Sequence, residues 1–275
     1  IDHQDLQLTG LGREFVGARV AHLSDLHCSP LIRQRHLELV FEMVNQLEPD
    51  FVVLTGDYIS SPSRIHAKRV ADLTRILEPK IDTLAVLGNH DYNLYHPQQT
   101  PSRGLADYLI AQFEHAGVRV LNSENHTYRR ADSLLSFVGM ADLWTADYQL
   151  DRAFDGLTTD APTIALCHNP DAAPDLACRG ADWTLAGHTH GRPVRDSKLH
   201  EILFPTQHPE FVAGEYDLGE GKRLYVNRGV GPSRRSCPNT RPEITLFRLT
   251  AKVAPVRPLL KRPDWRSEIP HSQPI

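Results

Sequence analysis

Apolar residues along the first 120 positions switch repeatedly between strand-like runs and helical spacing. Arg19 to Leu23 is a short apolar-rich run that ends in Ser24-Asp25-Leu26-His27 and reads as a buried strand entering a loop. Leu37, Val40, Phe41, Val44 and Leu47 then recur at helical spacing as one apolar stripe, and Pro49 stops it. Phe51 to Thr55 is β-branched and apolar and ends at Gly56-Asp57. Ala67, Val70, Leu73, Ile76 and Leu77 make a second amphipathic helix, stopped by Pro79. Thr83 to Leu87 is a further strand, ending at Gly88-Asn89-His90-Asp91. Leu105, Leu109, Phe113 and Ala116 form a third helical stripe, with Gly117 suited to its C′ position. Strand followed by helix, three times over, predicts parallel βαβ units in an α/β fold. Such sheets place ligands at the carboxyl ends of their strands.

The second half is richer in strands. Leu134 to Gly139, Thr163 to Cys167, Trp183 to Ala186, Phe211 to Tyr216, Leu224 to Val226 and Ile244 to Leu249 all read as strands, with one short helix near Ala172 to Ala177. Without an internal repeat or a clear linker, residues 1–253 are expected to form one domain of two packed sheets. Residues 254–275 carry Pro255, Pro258, Pro263, Pro270 and Pro274 and are expected to be an extended tail.

Composition narrows the function. The chain has 275 residues, enough for one or two domains with a sizeable core. Its formal net charge of −4 argues against an extended nucleic-acid surface. No apolar run approaches the ~18 residues of a membrane span. The chain begins at Ile1 rather than Met, which leaves room for a preceding signal or anchor. The reading is cytoplasmic or membrane-associated, with peripheral membrane contact allowed, or exported if a leader preceded Ile1. Cys28, Cys167, Cys178 and Cys237 contain no CxxC pair and do not make a disulfide scaffold. The 15 histidines matter more, because histidine is the commonest metal ligand and proton shuttle.

Five polar clusters follow apolar runs: Asp25-Leu26-His27, Gly56-Asp57, Gly88-Asn89-His90-Asp91, Cys167-His168-Asn169 and Gly187-His188-Thr189-His190. If their strands are neighbours, all five converge on one rim. Carboxylates and imidazoles crowded there are electrostatically expensive, and two divalent cations remove the expense. Carboxylates suit hard cations and imidazoles suit Mn, Fe, Zn or Ni. A two-metal centre clamps both oxygens of a phosphoryl displacement and lowers the pKa of water.

These blocks, in this order, resemble the signature of the calcineurin-like metallophosphoesterases. The resemblance implies a four-layer α/β/β/α sandwich and a dinuclear centre of Mn, Fe, Zn or Mg, with Mn favoured. It implies that Asp25, His27 and His190 hold one ion, that Asn89, His168 and His188 hold the other, and that Asp57 bridges them. A metal-bound hydroxide would attack phosphorus, His90 would protonate the leaving oxygen, and Asp91 would orient His90. A His between an amide and a carboxylate suits acid–base work on its own terms.

Ser24-Asp25-Leu26-His27, Gly56-Asp57-Tyr58, His168-Asn169-Pro170-Asp171, Gly187-His188-Thr189-His190-Gly191, Arg228-Gly229-Val230-Gly231 and Arg241-Pro242-Glu243 are similar to the bacterial branch with an N-terminal anchor or export signal. That branch includes phosphodiesterases and UDP-diacylglucosamine diphosphatases of lipid A synthesis. Its members often carry Gly-Gly-Gln where this chain has Gly191-Arg192-Pro193, a departure on the substrate side. Tyr58-Ile59-Ser60-Ser61 does not fit the protein-phosphatase block. The expected substrate is a phosphodiester or a pyrophosphate-linked small molecule or lipid. A catalytically weak scaffold and a Mn-dependent nuclease are the competing classes; the full ligand set argues against the first and the slight negative charge against the second.

The remaining candidates keep two readings each. Arg228 is either a bidentate substrate-phosphate ligand or a salt-bridge partner. His96 and its neighbours through Arg103 form either a substrate lid or a surface loop. His200 and His208 are candidates for an outer wall. His22 is read as packing. Cys28 and Cys167 are read as small buried residues beside the ligands, with soft ligation or a redox pair as the alternative.

Overall fold

A computed structural model describes residues 1–158, 161–191, 205–231 and 241–252. The tail at 254–275, Cys237, His200 and the departure at Arg192-Pro193 lie outside the described residues. In chain order the main elements are β1 (Asp2–Thr9), β2 (Arg19–Leu23), α1 (Gln34–Gln46), β3 (Phe51–Thr55), α2 (Arg64–Thr74), β4 (Asp82–Val86), α3 (Arg103–His115), β5 (Arg119–Val120), β6 (Glu124–Arg130), β7 (Ser133–Gly139), α4 (Leu150–Phe154), β8 (Thr163–Leu166), α5 (Ala173–Cys178), β9 (Trp183–Ala186), β10 (Gly214–Gly219), β11 (Lys222–Val226) and β12 (Thr245–Lys252).

The strands form two mixed sheets of six, ordered β1-β12-β2-β3-β4-β5 and β10-β11-β9-β8-β7-β6. Side-chain parity shows how they stack. On β3, Phe51 and Val53 face the core between the sheets with Val20, Leu84, Phe137, Ile164, Leu185 and Phe247. Val52 and Leu54 face the opposite way, into the core under α1, α2 and α3 with Phe41, Val70 and Phe113. The far face of the second sheet packs Val138, Ala165 and Ala186 against Ala153 of α4 and Leu176 of α5. The result is the expected four-layer α/β/β/α sandwich. Burial on both faces is why β2, β3 and β4 read as apolar-rich runs without polar alternation. α2 starts where Ser63 accepts the His66 N–H, a side-chain N-cap.

The sequence expectations fail at the sheet edges. β1 was not anticipated: Asp2 to Asp5 are solvent-facing or half-buried and only Leu6 and Leu8 are buried. β6 shows no apolar alternation, because it is a partly exposed edge paired only with β7. The strand expected at Phe211 to Tyr216 instead occupies Gly214–Gly219. The N–H groups of Val212 and Ala213 donate to the Tyr216 hydroxyl at 2.8 and 3.1 Å, closing a local turn before the ladder begins.

His22 packs as expected. It is fully buried on β2, stacks on Phe247 and bonds Thr55 Oγ1 through Nε2 at 2.8 Å. Burial, opposed by the Asp25 charge, lowers its pKa to about 3. The unfolded chain therefore binds a proton below pH ~6.5 that the folded chain refuses, so stability falls with pH by about 1.4 kcal/mol per unit from this residue. Urea unfolding of wild type and His22→Gln is expected to show their stability difference shrinking between pH 6 and pH 4. Parallel pH profiles would contradict that assignment.

Candidate metal centre

The carboxyl ends of β2, β3, β4, β8 and β9 meet at one rim and bring all five polar clusters together. The chain turns sharply there. Asp25, His27, Asp57, His188 and His190 all adopt positive φ, between 49° and 74°. Non-glycine residues held in that region cost roughly 1–3 kcal/mol each and persist only when the surroundings over-determine them. The restraints are visible. Asp25 N donates to Gly56 O at 3.0 Å and His27 N to Asp57 O at 2.9 Å. From the other sheet, Gly231 N donates to Asp25 O at 2.9 Å. Gly229 closes on the same turn: a Cβ there would stand 2.7 Å from Asp25 Cβ. The Arg228-Gly229-Val230-Gly231 segment thus props the Asp25 turn.

Three triads have ligand atoms mutually within 4.8 Å: Asp25/His27/His190, His27/Asp57/His90 and Asp57/His168/His188. Asp57 Oδ2 lies 3.3 Å from His168 Nε2, 3.8 Å from His27 Nε2 and 3.9 Å from His90 Nε2. His190 Nε2 is 3.2 Å from Asp25 Oδ1. Asn89 Oδ1 is 3.0 Å from His188 Nδ1. Every residue expected to hold an ion is therefore in this cluster.

The donor set suits cations. His27 Nε2 faces His190 Nε2 at 3.0 Å, and His168 Nε2 faces His188 Nδ1 at 3.1 Å. Nitrogens that close cannot all keep protons, and their converging lone pairs are what a cation satisfies. Asp25 Oδ1 is buried with no hydrogen-bond partner among the described residues. His168 Nδ1 donates to Thr55 O at 2.7 Å, which turns Nε2 toward the cluster, a common device for orienting a ligand. Burial lowers His27 to about 4, against the pull of Asp57, and burial with the His168 charge lowers His188 to about 3. Burial opposes charging of His168 too, but Asp57, Asp25 and Asp142 overcome it and raise its pKa to about 10. Burial likewise opposes ionisation of Asp57, yet His168, His90 and His27 hold it well below the carboxylate range. The residues thus gather buried carboxylate charge around His168, whose pKa that charge raises.

Other expected residues stand elsewhere. The expectation that Asp91 orients His90 needs correction. Asp91 is fully buried, and its oxygens accept the N–H groups of Asp57, Tyr58 and Gly88, each at 2.9 Å. It stitches two ligand loops together, and His90 Nδ1 has no hydrogen-bond partner among the described residues. Arg228 takes the salt-bridge reading: Nε bonds Glu243 Oε2 at 2.5 Å and Nη2 bonds Asp2 Oδ2 at 2.7 Å. His96 Nδ1 accepts the Gln98 N–H, and no described contact ties it to the cluster. Its neighbour Tyr95 does touch the site, with its ring edge-on to His90 at 4.8 Å. His208 stacks on Phe211 and pairs with Glu210. Cys28 and Cys167 are buried free thiols.

Two residues were missed. Asp142 is buried beyond the end of β7, and Trp144 lies edge-on to His188 at 5.5 Å. Asp142 follows an apolar strand as Asp25 and Asp57 do, but with no histidine beside it in the sequence.

Residues 18–192 match the calcineurin-like phosphoesterase family. The chain belongs to that family. It is a metal-dependent phosphoester hydrolase. Among its relatives, the uncharacterized metallophosphoesterase YkuE of Bacillus subtilis is 30% identical over 86% of this chain and 80% of that protein. The phosphodiesterase YaeI of Escherichia coli is 28% identical over 84% and 82%. The UDP-2,3-diacylglucosamine pyrophosphatase LpxG of Chlamydia muridarum is 25% identical over 84% and 83%. No helix among the described residues is long and apolar enough to cross a membrane.

Proposed function

We propose that the protein is a dinuclear phosphodiesterase whose centre also suits pyrophosphate links. The observation that carries the reading is the position of Asp57, whose Oδ2 stands between His168 and His27 and so between two triads. Asp25, His27 and His190 would hold one ion, Asn89, His168 and His188 the other, with Asp57 shared. Such ions supply Lewis acidity, lowering the pKa of water and neutralising phosphoryl charge. His90 is placed to give its proton to the departing oxygen: its side chain is a quarter exposed while the ligands around it are nearly closed off. Tyr95 packs against the His90 ring and restricts its tilt. Asp91 keeps the Asp57 and Gly88 turns in register. A mixed imidazole and carboxylate set favours Mn over Mg, which prefers all-oxygen shells. The similarity to YaeI and LpxG supports diester and pyrophosphate substrates over monoesters.

The test strips the protein with chelator, verifies the loss by mass spectrometry and adds back Mn, Zn or Mg. Hydrolysis of bis(nitrophenyl) phosphate is expected to vanish and to return best with Mn. Diester turnover should exceed turnover of the nitrophenyl monoester. Full diester turnover in verified metal-free protein would overturn the reading.

A further inference from the structure

Asp142 is a buried carboxylate at this rim with no role in the proposed chemistry. β7 runs parallel to β8 with Gly139 opposite Leu166, and Met140 N donates to Leu166 O at 2.9 Å. Continued past the strand ends, that register sets Ala141 beside His168 and Asp142 one residue further along the same rim. The side chain is 1% exposed. One oxygen is used: Oδ1 accepts the Trp144 N–H at 3.0 Å. Oδ2 is buried with no hydrogen-bond partner among the described residues. The Asp142 carbonyl accepts from Thr145 N and Oγ1 at 3.0 and 2.8 Å, fixing the loop whose Trp144 ring rests edge-on against His188. The loop therefore reaches both His168 and His188.

The loop turn alone does not account for an aspartate. Closing it takes one oxygen, which asparagine supplies equally well. A second carboxylate oxygen, dry and without a donor, costs free energy in proportion to its charge. That cost is offset if the charge has a cation to act on. Burial raises the Asp142 pKa to about 6, against the pull of the His168 charge, so at neutral pH the carboxyl is mostly ionised and its charge lies within range of the half-centre that His168 borders.

We propose that Asp142 is a positioning residue for the half-centre of Asn89, His168 and His188, its carboxylate charge tightening cation binding there. This rests on the two-ion reading above. It acts through its field and through the loop it anchors, not as a ligand, since no described triad includes it.

The test is calorimetric titration of Mn into stripped wild type, Asp142→Asn and Asp142→Ala, with the metal-free Tm of each. Asp142→Asn retains the Oδ1 acceptor and the shape and removes the charge. It is expected to bind one of two equivalents about 10–100-fold more weakly, the range for residues that support metal ligands. The other equivalent and the metal-free Tm should stay as in wild type. Asp142→Ala should show the same weakening and also a lower Tm, because the turn loses its acceptor. Adding Asp142→Asn to His188→Ala should weaken binding little further, since both act on one half. If Asp142→Asn binds both equivalents like wild type while only Asp142→Ala loses Tm, the residue is a turn former and the proposal fails. If wild type itself binds fewer than two ions, the two-ion reading fails first.

Discussion

Asp57→Asn is expected to lose stoichiometric binding of both cations and to lower kcat/KM for a diester by at least about 10³-fold. Its carboxylate reaches both halves of the proposed centre, 3.3 Å from His168 and 3.8 Å from His27. Cations at such a site are worth several kcal/mol of transition-state stabilisation, and each ~1.4 kcal/mol is tenfold in rate. Asparagine is the informative replacement because it tolerates the positive φ of 56° at this position. It also keeps an oxygen for the His90 N–H, which Asp57 Oδ1 accepts at 3.0 Å. The backbone should survive and the bridging charge should not. Metal content by mass spectrometry and diester kinetics on one preparation check it. Two retained ions with near-normal turnover would remove Asp57 from the bridging role.

The central strands and the convergence of the ligands were legible because each rests on a short-range pattern. Phe51–Thr55 and Trp183–Ala186 are apolar but for one threonine each, since both of their faces are buried. The polar residues that follow such runs can only lie at strand ends. Legibility stopped where the deciding partner is distant in sequence. Asp91 looks like a companion of His90 by adjacency, yet its three donors belong to backbone around residues 57 and 88. Arg228 looks like a phosphate ligand until Glu243 and Asp2 occupy it. β1 and β6 escaped notice because edge strands need only partial apolar faces. Asp142 escaped for a different reason. It carries no neighbouring histidine, and its significance appears only when burial and its missing donor are seen together.

His90→Ala separates the two roles its position permits. Geometry admits it as a ligand, since it shares a triad with His27 and Asp57. The acid role predicts something else: both ions stay bound, KM changes little, and kcat falls by about 10²–10⁴-fold, the usual worth of a positioned proton donor. The fall should also depend on the leaving group. A nitrophenolate departs without help, whereas an alkoxide needs a proton as its bond to phosphorus breaks. The deficit of His90→Ala should therefore be small for bis(nitrophenyl) phosphate and large for an alkyl diester, and the rate should become steeply sensitive to leaving-group pKa. A variant of Asp91 should not share that signature, because Asp91 holds backbone and not the imidazole; its losses should appear in Tm and metal content across all substrates alike. Loss of an ion from His90→Ala, with equal deficits for both diesters, would make His90 a ligand and leave the leaving oxygen to be protonated by solvent.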